Sequence, residues 1–558
     1  MAYFLKQARL KGRTYLSIVE SFYHPEKKGT AHRTFKSLAS VESWLEQGIE
    51  DPVEYFQKEV DELNAVKSTD KVRKISDKSP EVLLGYFPAK SIMEKLKIKK
   101  YVDYFKLSAS FRFDLYELLS SLVYARSVHP CSKSRTFHDV LPSLDMPYGF
   151  SYEQMLDGLS FLGQEYEKFV EIFTVQTRQT FGLNTSNTYF DSTNFYFEID
   201  REDDFRRKGP SKENRKEPIV GLGILLDSNQ LPIGMKMFPG NESEKPVLRD
   251  IVKRLKDQNM IVGKTIHVAD KGINCAQNIA FSKKNGDGYL FSKSVKSLPE
   301  IEKEWVLLDS GYKEAKDKDG KLMYRYKSCI DKFPYTVEHE GVNVQVMLTE
   351  KRLVTYNPSL AEKKRYEINR LVEKAKEMTA SMARKCEYGE AGKYISMKGA
   401  DGKNPDVSIN RDAAEKDLML AGYNMLVTSE IKMKEQDMYD TYHCLWRIEE
   451  SFRIMKSDLD ARPVFLQKEE CIKGHFLICY IAVLLERLFQ FNVLENIYPA
   501  TQIFDFMKGF RLVKADSKYI NITRSSAFIK ELSDKLGLPL ENCYLTQRQV
   551  KGIQDCKL

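Results

Sequence analysis

The chain has 558 residues, which is too long for one hydrophobic core, so we expect about three to five domains. A hydrophobic fraction of 42% and a charged fraction of 30% are ordinary for a globular protein, and the net charge is only +8. The nine cysteines include no C-x-x-C pair, which argues against a disulfide framework or a zinc ribbon and favours a reducing, cytoplasmic setting.

Secretion and membrane insertion are not expected. Basic residues interrupt the start of the chain, so it does not resemble a signal peptide (Lys6, Arg9, Lys11, Arg13). The longest apolar run, residues 476–485, is much shorter than a membrane span. We therefore expect a soluble intracellular protein.

Residues 1–80 are predicted to form a basic β-meander followed by a charged connector. Three β-rich runs are separated by turn-forming residues (3–9, 14–22, 31–37). Basic residues gather on these runs, with Tyr15 and Tyr23 among them. A basic sheet with aromatic side chains can bind nucleic acid, although a solvated edge sheet that packs on a neighbour fits the pattern equally well.

Residues 81–180 are predicted to form a helical DNA-binding block. Apolar residues recur at helical spacing, as in Leu115, Leu118, Leu119 and Leu122. The loop 129–135 interrupts this block with clustered basic residues, and it is predicted to contact DNA.

Residues 181–294 change to a strand pattern. An alternating aromatic run, an apolar run and its hairpin partner predict three adjacent antiparallel strands (188–198, 219–226, 231–238). A helix near 245–257 then leads to a short strand at 265–269, a helix at 275–283 and a strand at 289–291. This order is that of an RNase H-like fold, and these residues are its first part.

Residues 295–420 are predicted to be a mostly β insertion, with a strand at 342–348 and a helix that begins at a capping box, residues 359–362. The core pattern resumes in residues 421–495, where a strand at 423–428 leads into a helix at 442–456. A weakly patterned C-terminal tail, residues 496–558, follows.

The predicted helix at 442–456 carries Tyr442, Trp446, Glu449, Arg453 and Lys456 along one stripe. Alternating aromatic, acidic and basic side chains make a poor core face, because buried charges must be paired. The stripe is consistent with a solvated, salt-bridged surface or with an active-site face.

Three acids stand at corresponding places of the predicted core. Asp191 lies within the first strand, Asp270 ends a later strand and Glu449 lies on the helix after the last strand. Such acids can converge at one edge of a sheet, where carboxylates suit Mg²⁺ ions that cleave a phosphodiester. A single aspartate at a strand end more often caps a turn, and it is the three acids together that favour a metal site.

These segments resemble bacterial insertion-sequence transposases of the DDE superfamily, in the group with a Y-x2-R-x3-E-x6-K signature. Tyr442, Glu449 and Lys456 match the signature, and F-D-S-T and V-A-D-K-G match the sites of the two aspartates. The resemblance covers about residues 187–490. The signature arginine is replaced by Leu445, and either Arg447 or Arg453 could substitute for it.

The resemblance implies an α/β multidomain protein with an RNase H-like catalytic core. It implies that Asp191, Asp270 and Glu449 bind catalytic Mg²⁺, for which Mn²⁺ would substitute. Lys456 would contact DNA phosphate, Tyr442 would contact the transposon end, and Arg447 or Arg453 would take the arginine role. The protein would bind terminal inverted repeats, cleave and join DNA strands as a homodimer, and associate with the cytoplasmic nucleoid.

Two smaller features and two other functions remain open. Lys212 and Arg215 are predicted to lie on a loop that either touches the DNA backbone or is solvated. His267 lies three residues before Asp270 and is predicted to face the core. The alternative functions are an RNase H-like structure-specific DNA nuclease and a non-catalytic DNA-binding regulator derived from a transposase.

Overall fold

The computed structural model describes residues 3–24, 29–69, 80–105, 111–210, 212, 216–339, 341–377, 389–398, 406–515 and 518–558. The chain forms two compact units, Met1–Ser79 and Pro80–Leu558.

The first unit contains the predicted antiparallel β-meander, which is followed by two helices. Alternation along the central strand buries Leu16 and Ile18, while Tyr15 is 42% exposed. The side chain of Ser40 caps the first helix by accepting a hydrogen bond from the backbone N–H of Ser43. The elements are β1 (Tyr3–Leu10), β2 (Arg13–His24), β3 (Gly29–Ser40), α1 (Val41–Glu46) and α2 (Pro52–Thr69).

The second unit begins with a short strand and a block of helices. Asp114 caps the most buried helix of this block by accepting from two backbone N–H groups, and Ser151 starts another helix through a capping box with Gln154. The elements are β4 (Glu81–Leu83), α3 (Phe87–Lys95), α4 (Ile98–Phe105), α5 (Leu115–Val128), α6 (Lys133–Arg135), α7 (Leu141–Ser143), α8 (Tyr152–Gln164) and α9 (Tyr166–Phe181).

The next residues form the centre of a mixed sheet. Three strands are antiparallel neighbours, and two further strands run parallel to the first of them, in the order β7-β6-β5-β8-β9. This arrangement confirms the predicted RNase H-like core. The elements are β5 (Asn187–Tyr196), β6 (Ile219–Leu226), β7 (Pro232–Pro239), α10 (Lys245–Asp257), β8 (Ile266–Ala269), α11 (Ala276–Lys284) and β9 (Gly288–Lys293).

The predicted insertion continues the same sheet. Its first three strands join the core through β12, which pairs with the strand that follows the insertion, β15 (Tyr423–Thr428). The whole sheet therefore has nine strands, in the order β10-β11-β12-β15-β9-β8-β5-β6-β7. The elements of the insertion are α12 (Glu300–Leu307), β10 (Lys313–Lys316), β11 (Leu322–His339), β12 (Val342–Tyr356), α13 (Pro358–Lys376), β13 (Ile395–Lys398), β14 (Asp406–Ile409) and α14 (Arg411–Met419).

After β15 the chain crosses one face of the sheet as α15 (Glu435–His443) and α16 (Trp446–Arg453), then enters the core as α17 (Glu469–Leu488). The helical stretch Glu469–Val493 is long and apolar enough to cross a membrane by length and composition, but 83% of its apolar window is buried within the protein. It is therefore the central core helix. Gly163 and Gly474 let α8 and α17 meet backbone to backbone, since a Cβ on Gly163 would lie 1.7 Å from the carbonyl oxygen of Glu470.

The C-terminal residues fold against the start of the second unit. Their strands extend a sheet that ends on β4, in the order β18-β17-β16-β4. Phe510 and Leu512 of this segment are fully buried in the same apolar cluster as α5 and α17. The elements are α18 (Ala500–Gly509), β16 (Arg511–Ala515), β17 (Lys518–Asn521), α19 (Ala527–Leu536), β18 (Tyr544–Thr546) and α20 (Gln547–Gln554).

Candidate active site

Asp191 and Asp270 occupy neighbouring positions on the parallel strands β5 and β8. Phe190 pairs with Ala269 in the register of these strands, so the two aspartates are the next residues along. Phe190 and Ala269 are fully buried in the cluster that packs against α10. Because side chains alternate along a strand, the carboxylates face the opposite side, where α15 packs on β8 and α16 packs on β5.

Tyr442, near the end of α15, connects this helix to the aspartates. Its hydroxyl donates a hydrogen bond of 3.0 Å to Oδ1 of Asp270. Burial raises the pKa of Tyr442 above its ordinary value, and the negative charges of Asp270 and Asp191 raise it further. The phenol therefore stays protonated near neutral pH and remains a donor to the carboxylate.

Lys212 is the cation beside Asp191. Its Nζ donates to Oδ1 of Asp191 at 3.2 Å and to the carbonyl oxygen of Ser192 at 2.5 Å. Burial raises the pKa of Asp191, and the charge of Lys212 opposes this rise. Arg215, the other predicted contact of this loop, lies outside the described residues.

Glu244 is a further carboxylate beside Asp191 that the sequence interpretation did not single out. The hydroxyl of Ser192 donates to Oε2 of Glu244, and Nζ of Lys212 lies 3.7 Å from the same oxygen. A Cβ on Gly272 would lie 2.4 Å from Oε1 of Glu244, so the glycine after Asp270 makes room for this carboxylate. Its position directly before α10, where a helix N-terminus favours negative charge, was the available signal.

Glu449 lies on the exposed side of α16. Among the described residues it has no hydrogen-bond or ion-pair partner, which leaves its carboxylate free for a ligand. Lys456 lies above β5, with Nζ 5.6 Å from the ring centroid of Phe195.

The prediction of one continuous helix over residues 442–456 is wrong. α15 ends at His443, α16 begins at Trp446, and Lys456 lies in a π-helical turn, Ile454–Asp458. Leu445, which stands in place of the signature arginine, is only 8% exposed and packs in the core between the two helices. The predicted stripe is therefore divided between three short elements.

Arg447 and Arg453 form ion pairs on another side of α16. Each has a guanidinium nitrogen 3.7 Å from Glu450, and Arg453 also lies 3.8 Å from Asp458. Arg447 stacks on Trp446, with 3.8 Å from its guanidinium carbon to the ring centroid. The described ion pairs of these arginines therefore involve Glu450 and Asp458, and not Asp191 or Asp270.

His267 is a core residue, as predicted. It is fully buried, its Nδ1 lies 2.8 Å from Oγ1 of Thr188, and its Nε2 lies 3.2 Å from the carboxylate of Asp287. These partners occupy both ring nitrogens and leave neither available to a metal ion.

A divalent cation such as Mg²⁺ requires several oxygen ligands close together. Within the described ranges, no group of three or more His, Cys, Asp or Glu side chains is close enough to hold a metal ion. The chemistry nevertheless fits, since adjacent carboxylates supply the oxygen ligands of Mg²⁺. The ammonium of Lys212, which contacts Asp191 and lies near Glu244, occupies a place where positive charge is favourable.

The sheet and its paired aspartates define an RNase H-like α/β domain with a carboxylate site beneath a covering helix. The family model of the transposase DDE domain matches residues 185–485, which is more than half of the chain. The chain belongs to this family, and the predicted resemblance is confirmed.

Membership implies a nuclease or transposase enzyme that acts on DNA. Enzymes of this family generally use divalent metal ions. A search of curated proteins finds no match to the chain.

Proposed function

We propose that this protein is a DDE transposase that binds the terminal inverted repeats of its insertion sequence, cleaves the DNA strands there and joins the ends to target DNA. The observation that carries the proposal is the adjacent pair Asp191 and Asp270 on parallel strands, with Tyr442 bonded to Asp270.

Asp191, Asp270 and Glu449 are the residues that would hold Mg²⁺ or Mn²⁺. A divalent cation bound there would supply Lewis-acid activation of the attacking water or 3′-hydroxyl and stabilise charge on the leaving oxygen. The two aspartates are neighbours in the sheet, and Glu449, on the helix that packs on β5, has no ion-pair partner in the part of the chain that the structure describes.

The surrounding side chains would orient these groups. Tyr442 holds the carboxylate of Asp270 through its hydroxyl. Lys212 offsets the charge of Asp191, and on metal binding its ammonium would be free to meet a DNA phosphate instead. Lys456, above β5, is placed to bind phosphate as a point charge.

DNA recognition would involve further parts of the chain. The exposed basic residues of the β-meander, among them Arg9, Lys11 and Arg13, suit contacts with a phosphate backbone. Arg215, Arg447 and Arg453 remain predicted DNA contacts. Two protomers are expected in the complex that joins two transposon ends, because each end needs its own active site.

The test uses the purified protein, a labelled duplex carrying the end of its element, and Mg²⁺ or Mn²⁺. We expect strand cleavage that EDTA abolishes and that Asp191→Asn or Asp270→Asn reduces about 100- to 1,000-fold, since charge stabilisation in the transition state is lost. Asp250→Asn, a change at an exposed aspartate on α10, is the matched control and should leave cleavage unchanged. Robust cleavage by the Asp191 variant would contradict the proposal.

A further inference from the structure

A cavity of about 370 Å³ lies outside the candidate active site, between the loop after α5 and the segment after the π-helical turn. We call it the Lys133 pocket, and its lining includes three basic side chains and one carboxylate: Arg126, Lys133, Arg462 and Asp460. Two serine hydroxyls, of Ser132 and Ser134, also line it.

Lys133 is a buried lysine that has no acidic partner among the described residues. Lys133 is only 8% exposed. No carboxylate forms an ion pair with its ammonium in the part of the chain that the structure describes. Its Nζ lies 3.4 Å from Nδ1 of His475. Nε2 of His475 lies 3.0 Å from the carbonyl oxygen of Ala461, which can only accept, so Nδ1 accepts from Lys133.

Arg126 adds a second buried cation beside Lys133. It is 5% exposed, and its guanidinium donates to the carbonyl oxygens of Leu459 at 3.3 Å and Cys131 at 2.9 Å. Burial, and then the charge of Arg126, lower the pKa of Lys133 to about 7. Lys133 therefore loses its proton readily in the free protein, whereas a bound anion would keep it protonated and would pair with both buried side chains.

We propose that the Lys133 pocket binds a phosphate group of a DNA strand, with Lys133 and Arg126 as its charge partners. The inference rests on the proposed DNA-cleaving function and adds a second anchoring point to it. Residues 131–134 of the pocket lining belong to the basic loop 129–135 that the sequence predicts to contact DNA.

The position of the pocket allows one DNA strand to reach both the pocket and the pair Asp191 and Asp270. Arg462 lies over Tyr196 at the end of β5, with 5.3 Å from its guanidinium carbon to the ring centroid. Tyr196 is roughly 17 Å along the strand from Asp191, at about 3.3 Å per residue. Phosphates advance about 3.4 Å each along one strand of a duplex, so the bound phosphate would be about five nucleotides from the cleaved bond.

The experiment measures DNA affinity in EDTA, so it does not depend on cleavage. A fluorescein-labelled duplex carrying the element's end is titrated with the full-length protein, by anisotropy, over a series of salt concentrations. We expect Lys133→Met to weaken binding about 3- to 10-fold at low salt and to reduce the slope of log K against log salt by about 1. Lys133→Arg should keep the slope, because it keeps the charge.

The control is Lys351→Met, which removes an equally buried lysine that does have an acidic partner, Glu435 at 2.9 Å. It should lower the melting temperature and leave the salt slope unchanged. Lys133→Met should leave the melting temperature unchanged or raise it, because it removes an unpaired buried charge.

In a parallel experiment, the melting temperatures of the native protein and of Lys133→Met are measured at increasing concentrations of inorganic phosphate. Stabilisation of the native protein but not of Lys133→Met supports an anion site at this lysine. If phosphate stabilises but the DNA slope of Lys133→Met equals that of the native protein, the site takes free phosphate and the inference is overturned. An unchanged slope without phosphate stabilisation overturns it as well. A native protein that binds DNA but does not cleave it would instead contradict the proposed function.

Discussion

The hydrogen bond between Tyr442 and Asp270 joins two separate parts of the chain, 172 residues apart. A carboxylate that holds a cation must keep its orientation, and a donor on one oxygen restricts its rotation. The hydrogen bond to Oδ1 therefore helps to fix the orientation of the Asp270 carboxylate.

Replacing Tyr442 by Phe removes the hydroxyl and keeps the ring. We expect cleavage at the transposon end to slow about 10-fold, which corresponds to about 1.4 kcal/mol of transition-state stabilisation. Folding should be little changed, because the ring still packs between α15 and the sheet. Single-turnover cleavage measures the rate.

Tyr439→Phe is the matched control, since this neighbouring tyrosine stacks on Tyr324 at 4.1 Å between ring centroids and lies in the same helix. It should leave the rate unchanged. Equal rates for native protein and Tyr442→Phe would show that the hydroxyl has no part in the reaction.

At this scale the sequence predicts the backbone of the site better than its polar contacts. Asp191 and Asp270 follow from strand patterns, because acids at neighbouring strand positions meet at one edge of a sheet. The contacts that Lys212 and Glu244 make with Asp191 and Ser192 span 21 and 52 residues. No periodicity links such distant positions, so only the folded chain brings them together.

At the scale of elements, the break between α15 and α16 has no local signal. No glycine or proline lies between Tyr442 and Arg453, so helix propensity alone favours one helix. The core decides otherwise, because Leu445 is drawn into the apolar cluster between the helices. The resulting turn places Tyr442 and Glu449 on two separate helices.

α17 carries a buried acid near its end, Glu486, that predicts a pH dependence. Burial raises the pKa of Glu486 to about 7, and both carboxylate oxygens lack a hydrogen-bond partner among the described residues. Its nearest cation is Arg487 at 3.8 Å, which Glu450 also binds at 3.0 Å. Glu486 therefore holds its proton more tightly in the folded protein than in the unfolded chain.

The sign of the effect follows from proton binding. Between its ordinary value of 4.5 and about 7, the folded state holds a proton that the unfolded state has released, so stability falls as pH rises through this window. Glu486→Gln removes the titration. We expect the variant to exceed the native protein by less than about 1 kcal/mol near pH 5 and by up to roughly 3 kcal/mol at pH 8, measured by denaturant unfolding.

Glu469→Gln, at a 42% exposed acid in the first turn of the same helix, is the control and should shift stability equally at both pH values. A Glu486→Gln variant that is less stable than the native protein at pH 8 would mean that the carboxylate is charged and favourably paired.

At the scale of the whole molecule, the predicted domains are more closely joined than their sequence order indicates. The insertion adds three strands to the central sheet through the pairing of β12 with β15. The C-terminal residues, weakly patterned in sequence, pair with β4 at the start of the second unit. Pairings between such distant strands leave no local pattern, so a tail was predicted where the structure has part of a core.

The C-terminal residues 496–558 are expected to be necessary for folding of the second unit, because they pair with β4 and pack in its core. Deleting residues 496–558 exposes the apolar surface of α5 and α17 that Phe504, Phe506, Phe510 and Leu512 cover. Each such side chain contributes about 1.5–3 kcal/mol, and together they approach the total stability of a domain, about 5–15 kcal/mol. We expect the truncated protein to aggregate or to lack a cooperative thermal transition by circular dichroism.

Deleting residues 1–79 is the matched comparison, because that unit has its own core around Leu16, Ile18 and Phe56. The remaining protein, Pro80–Leu558, should keep its melting transition. In limited proteolysis it should be cut no faster than the full chain. If the protein without residues 496–558 instead melts cooperatively at the full-length temperature, β16 to β18 would be an accessory layer, and the core would end with α17.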